Sequence, residues 1–360
     1  MNLSNGITSG QLAQSYAILN DIRLPHGLYL ASPSEDYRYV WIRDSVYISL
    51  PFLNKTCDTY QRTYHRFLDL FREYEWKLDI HTKEKPAAEW EYIHAKYCAK
   101  EVKELSEPWG HCQHDAVGAL LWGIGEGDQR GKKIIRDDKD RQIVQKLVEY
   151  LQTCQYWEDP DNGMWEEWRE MHASSIGACI SGLKAVAHLV SVPESLILKG
   201  YEALEKLQLT ESASRFIDLA QLSLIYPHRV YSNEEAREVI QRVEAQLLKQ
   251  RGVIRYRGDS YYSTKEADGR HHALEYYYGT EAEWCFGLPW LALCHMEMGN
   301  YDKAKEYVDW TEKVMLPDGS LPELYYAGSD RPNPNTPLGW ANALYIVAKE
   351  KMGVTELAPE

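Results

Sequence analysis

SNEEAREVIQRVEAQLLK, residues 232–249, carries the pattern that decides the fold. Apolar side chains recur at Ala236, Val239, Ile240, Val243 and Leu247, the 3.6-residue period of an amphipathic helix. Ser232 can cap the first turn, and Glu234 and Glu235 put negative charge at the positive end of the helix dipole. The same period, followed outward along the chain, predicts helices over 7–20, 43–53, 57–78, 113–125, 139–154, 173–190, 193–208, 214–225, 233–249, 281–298, 300–315 and 337–352. Gly299-Asn300 separates two of these by a tight turn, and Pro337 suits the first turn of the last. One segment reads as a strand: GVIRYRGDSYY, Gly252 to Tyr262.

Twelve helices can close into an (α/α)6 barrel, six inside and six outside. The expected fold is therefore all-α, with residues 1–360 forming a single domain. The polar stretch over 79–112 reads as a loop covering one mouth of the barrel.

Composition narrows the function. The chain has 12 Trp and 26 Tyr but only 5 Phe, so its aromatic residues are mostly of the kind that pack and also hydrogen-bond at a wet boundary. That skew predicts a large aromatic-lined cleft. A net charge of −14 repels phosphate backbones, which argues against nucleic acid, and no basic run suggests a membrane surface. No segment reaches the ~18 consecutive apolar residues that span a bilayer. The first 30 residues lack a secretory leader pattern. The seven cysteines are scattered without a CxxC pair, which suits free thiols in a reducing cytoplasm.

Three segments carry the chemistry: MWEEW from Met164 to Trp168, LPEL from Leu321 to Leu324, and YRYVWIRDSVY from Tyr37 to Tyr47. A sugar ring offers apolar C–H faces to aromatic side chains and paired hydroxyls to Asp and Arg. Cleaving a glycosidic bond needs two carboxyl groups. Glu166 and Glu167 lie between Trp165 and Trp168, and the sequence predicts that each raises the other's pKa by repulsion. Glu323 follows Pro322 and precedes Leu324-Tyr325-Tyr326, on a constrained loop among aromatics. Other clusters are blander. His111 and His114 flank Cys112, a poor zinc site, with His114 expected to face solvent. His271-His272 reads as loop, and GIGEGDQRGK, Gly123 to Lys132, lacks the phosphate-binding pattern. No metal and no cofactor is assigned.

In order along the chain, YRYVWIRD, WGHCQHD (Trp109 to Asp115), MWEEW, IRYRGDSYY (Ile254 to Tyr262) and LPEL resemble the signatures of the glucoamylase-like family, glycoside hydrolase family fifteen. The resemblance runs from about Tyr37 to Trp340. It implies an inverting exo-acting α-glucosidase on an (α/α)6 barrel. Glu166 would be the general acid, Glu167 its support and Glu323 the general base. Arg43 and Asp44 would hold the far end of the non-reducing sugar, with Tyr37 and Trp41 packed against the sugar and the acid. Trp109, Gln113, Trp165 and Trp340 would form walls, and Arg255 a second hydroxyl clamp. Tyr256, Asp259 and Trp284 are further candidates. With no leader and no starch-binding module in view, the implied substrate is a short imported sugar, isomaltose or an isomalto- or malto-oligosaccharide. Two alternatives share the motifs: an α,α-trehalase, and a non-catalytic module like the glucoamylase-like part of phosphorylase kinase regulatory subunits.

Overall fold

The computed structural model describes residues 5–265 and 273–353, so His271 and His272 lie outside the described residues. Among the described residues twelve α-helices follow in chain order: α1 (Asn5–Asp21), α2 (Ile42–Ser49), α3 (Thr59–Glu73), α4 (Glu75–His81), α5 (His114–Gln129) and α6 (Asp138–Cys154). After them come α7 (Ala173–Val186), α8 (Glu194–Leu207), α9 (Asn233–Gln246), α10 (Gly287–Glu297), α11 (Tyr301–Val314) and α12 (Gly339–Lys351). None is long and apolar enough to cross a membrane.

The inner ring consists of α2, α5, α7, the 3-10 segment Leu219–Leu224, α10 and α12. Each packs on the next, and α12 closes on α2. Outside lie α1 against α12, α3 against α2 and α5, α6 against α5, α8 against α7, α9 against the 3-10 segment, and α11 against α10. This is the (α/α)6 barrel. Inner helices touch protein all round, and α10 buries every residue from Gly287 to Met296. Outer helices bury one stripe. In α9 that stripe is Ala236, Val239, Ile240 and Val243, and the capping box of Ser232 and Glu235 closes its first turn. The α5–α7 contact depends on glycine. A methyl at Gly118 would lie 2.4 Å from the Ala178 carbonyl carbon, and one at Gly182 would lie 2.3 Å from the Gly118 oxygen.

Several expectations change. The 57–78 helix divides at Tyr74 into α3 and α4. The 214–225 helix is only the 3-10 segment Leu219–Leu224, started by the Asp218 side chain. Arg215 is drawn off toward Glu167, so the helix begins late. GVIRYRGDSYY forms no strand. Val253 bridges Leu248 and Trp284, Tyr256 bridges Asp218, and no neighbour runs alongside for longer. The 281–298 region begins as β3 (Glu283–Trp284), antiparallel to β4 (Leu324–Tyr325), before α10 starts. Within 79–112, β2 (Lys96–Cys98) pairs with β1 (Tyr39–Trp41) and sets Lys96 opposite Trp41. Pro337 lies before α12, whose N-cap is Leu338. His114 does not face solvent; it opens α5 and is buried.

Candidate active site

A cleft of about 1040 Å³ opens at the N-terminal ends of the inner helices, where their unpaired backbone N–H groups favour negative charge. Arg43 and Asp44 come from the first turn of α2, and Trp340 from that of α12. MWEEW and the segment holding Glu323 enter as loops.

Glu166 sits at the tip of a tight turn with φ +61°. Its N–H donates to the Gly163 carbonyl (3.1 Å), and the Glu167 N–H to that of Asn162 (2.9 Å). Asn162 Nδ2 returns a bond to the Glu167 carbonyl (2.6 Å). The flanks join through the Asp161–Glu170 bridge. Asp161 also accepts the His114 N–H (2.9 Å) and lies 2.9 Å from His172 Nδ1. Gly163 has φ +65°, and a methyl there would meet His172 Nδ1 at 2.8 Å, so glycine is required twice over.

The neighbouring glutamates diverge. Glu166 accepts from Trp41 Nε1 (2.8 Å) and, at 3.4 Å, from Arg43 Nη2. Burial raises its pKa despite the pull of Arg43 and Lys96. Glu167 is only half-buried, and Arg255 (2.9 Å), Arg215 and the Tyr256 hydroxyl (2.7 Å) surround it and hold it below the usual range. Mutual repulsion is therefore not what sets either pKa. The turn sends the two side chains to different partners, and cations outweigh burial at Glu167 alone.

Arg43 does not rest on Asp44. It pairs with Asp115 (2.7 Å) and donates to Gln113 (3.2 Å). Gln113 stands behind the wall, holding Arg43 and donating to the Gly110 carbonyl (2.7 Å). Asp44 faces the cleft, and burial lifts its pKa to about 7.

Glu323 is buried beside the β3–β4 pair, its carbonyl accepting the Cys285 N–H (3.0 Å). Its carboxylate accepts from the Tyr37 hydroxyl, Asn333 Nδ2 and Asn335 Nδ2, the last at 3.0 Å. Burial raises its pKa, and these three donors draw it back. Tyr37 also meets the Tyr261 hydroxyl at 3.2 Å.

The walls are aromatic. Trp165 donates to Asp218 (2.8 Å) and lies beside Trp284. Trp340 stacks between Tyr47 and Phe286. Trp109 is half-exposed at the mouth, with Lys96 Nζ 3.1 Å from its ring centre. Arg255 is not a free hydroxyl clamp; it grips Asp259 (2.6 and 2.7 Å) and Glu167, although it reaches the cleft wall. Tyr256 sits with it on Glu167.

The expected residues thus gather around one cleft, with Gln113 and Asp259 one layer behind. Asp115, Arg215, Lys96, Tyr261, Asn333 and Asn335 had not been singled out. Asp115 closes the WGHCQHD motif and was within reach, whereas the asparagines follow Glu323 in a loop without periodicity. Cys112, His114 and Asp159 bring ligand-type atoms within 4.8 Å of one another. Lys85 (2.9 Å) and Arg169 (3.2 Å) already neutralise Asp159, so the cluster fits a hydrogen-bonded core better than a cation.

The family described as "Glycosyl hydrolases family 15" matches residues 13–349. A glycosidase variant solved in complex with glucose superimposes with a TM-score of 0.81 at 20% identity, covering 98% of this chain and 99% of that one. The glucoamylase from Saccharomycopsis fibuligera superimposes with a TM-score of 0.68 at 13% identity, covering 97% and 95%. Among curated proteins, the probable phosphorylase b kinase regulatory subunit alpha of Caenorhabditis elegans is 25% identical over 325 residues. That match covers 78% of this chain and 25% of the relative, so the chain spans about a quarter of the length of the curated relatives it matches.

Proposed function

We infer the activity from one premise: the chain belongs to glycosyl hydrolase family 15. It acts as an inverting, exo-acting α-glucoside hydrolase, releasing β-glucose from the non-reducing end of short α-gluco-oligosaccharides. Isomaltose and isomalto-oligosaccharides are the favoured substrates, with malto-oligosaccharides next. The whole chain serves as one catalytic unit in the cytoplasm.

One observation carries this reading. Two carboxyls with raised pKa, the buried Glu323 and the largely buried Glu166, face a single aromatic-walled cleft from separate loops. Glu166 gives its proton to the glycosidic oxygen, which leaves with the electron pair of the broken C–O bond. Glu323 takes a proton from the water that attacks the anomeric carbon. Inversion requires the two carboxyls to stand about 6.5–9.5 Å apart, with that water between base and sugar. Glu167 stays ionised and fixes the guanidinium groups behind the acid. Arg43 and Asp44 close the end of the cleft that takes the terminal hydroxyls, which limits cutting to the last sugar.

The test is glucose release from isomaltose, maltose and trehalose, with Glu166→Gln and Glu323→Gln as controls. Release from isomaltose or maltose that both substitutions abolish supports the reading. Preferential release from trehalose moves the assignment to an α,α-trehalase using the same carboxyls. The curated relatives are named as regulatory subunits, which favours a second reading, a non-catalytic regulatory module that binds carbohydrate without cleaving it. Saturable oligosaccharide binding without turnover would establish that reading instead.

A further inference from the structure

A second cavity, of about 560 Å³, lies at the other mouth of the barrel. It is bounded by the C-terminal halves of α5, α7 and α12 and by the segment that follows α2. The helices that present Arg43 and Trp340 to the catalytic cleft therefore also lead to this cavity.

Five cations line it: Lys55, Arg130, Lys184, Arg229 and Lys351. Three carboxylates answer them. Lys55 pairs with Glu350 (2.5 Å) and Arg130 with Glu126, while Arg229 (2.8 Å) and Lys351 (2.7 Å) share Glu297. Among the described residues Lys184 pairs with no acid, and it donates to the Tyr201 hydroxyl (3.2 Å). Two positive charges remain in excess, in a chain whose net charge is −14. The helix ends explain why cations gather here, because C-terminal carbonyls favour them. Three such ends, at roughly half a negative charge each, offset most of the surplus, so the cavity offers donors more than net charge. The floor is polar as well. His228 is 6% exposed and its Nδ1 has no partner among the described residues, while Ser181, also 6% exposed, is part of the same lining.

We propose that this cavity is a second ligand site, for a small phosphate-bearing anion. A phosphate group carries about −1.5 to −2 charge at neutral pH and offers three strong acceptor oxygens. Those acceptor oxygens match the N–H and O–H donors that line the cavity. Lys184 and the guanidinium groups would donate from the rim, and Ser181 and His228 from the floor.

The experiment is titration calorimetry of the full chain with inorganic phosphate and with glycerol 3-phosphate, at low ionic strength against matched sodium chloride. Saturable one-site binding is expected, weakening as salt rises and unaffected by glucose held in the catalytic cleft. Lys184→Gln and Arg229→Gln should each weaken it about tenfold, the loss of one charge-assisted contact, with the thermal transition kept. Tighter binding of the phosphoester points to a phosphorylated metabolite, and equal binding to the free anion. Heat that never saturates, displacement by glucose, or unchanged affinity in both variants would overturn the site.

Discussion

Glu166 stands at the tip of a turn held by backbone bonds and a glycine, with an indole N–H at 2.8 Å and a guanidinium at 3.4 Å. Glu323 sits beside a paired edge of backbone, with three uncharged donors on its carboxylate. Burial raises both pKa values, but their partners differ in kind. The nearest cation to Glu166 is already committed, because Arg43 binds Asp115 more closely, at 2.7 Å. That loose hold leaves burial free to keep a proton on Glu166. The donors around Glu323 stabilise its ionised form without neutralising it. An acid needs the first environment and a base the second.

The comparison breaks most visibly if either carboxyl can be spared. Glu166→Gln and Glu323→Gln should each lower kcat by about a thousandfold on isomaltose or maltose. An activated aryl α-glucoside, whose leaving group needs no proton, then separates the two. It should restore Glu166→Gln by about a hundredfold and leave Glu323→Gln inactive. Equal rescue of both variants would erase the distinction between acid and base.

Asn333→Ala or Asn335→Ala should lower kcat about tenfold with little change in KM. Each removes a donor that favours ionised Glu323, so the acidic limb of the kcat profile should move to higher pH. An unmoved limb would mean that the asparagines only fill space.

The smallest effect concerns stability. Burial lifts Asp44 to about 7, so the folded protein keeps a proton that the unfolded chain releases. Stability from this group is full below the unfolded pKa of 3.8 and is lost as pH rises through about 7. Asp44→Asn should therefore gain thermal stability over the wild type between pH 4.5 and 8, by at most about 4 kcal/mol, while losing activity. A gap in Tm that stays constant with pH would remove this account of Asp44.

Local pattern made the barrel legible and left its irregularities hidden. The stripe of α9 and its cap are local, and the sequence showed both. The 214–225 segment has the same kind of apolar content, yet Arg215 and Asp218 are recruited across the ring to Glu167 and Trp165, and only the 3-10 segment remains. Glu166 and Glu323 were legible because acids among aromatics form local motifs. Lys96 was not, since it reaches the cleft only through the β1–β2 pairing with Trp41. The opposite fates of Glu166 and Glu167 depend on a positive φ and on arginines 48 and 88 residues downstream of Glu167, which adjacency in sequence conceals.

In the proposed mechanism water, activated by Glu323, attacks while Glu166 protonates the leaving oxygen. Proton NMR of the anomeric signals during the first minutes of reaction with isomaltose or maltose tests it most directly. β-Glucose is expected first, with α-glucose following only by mutarotation. Early α-glucose would contradict it, because retention requires a carboxylate to attack the sugar itself.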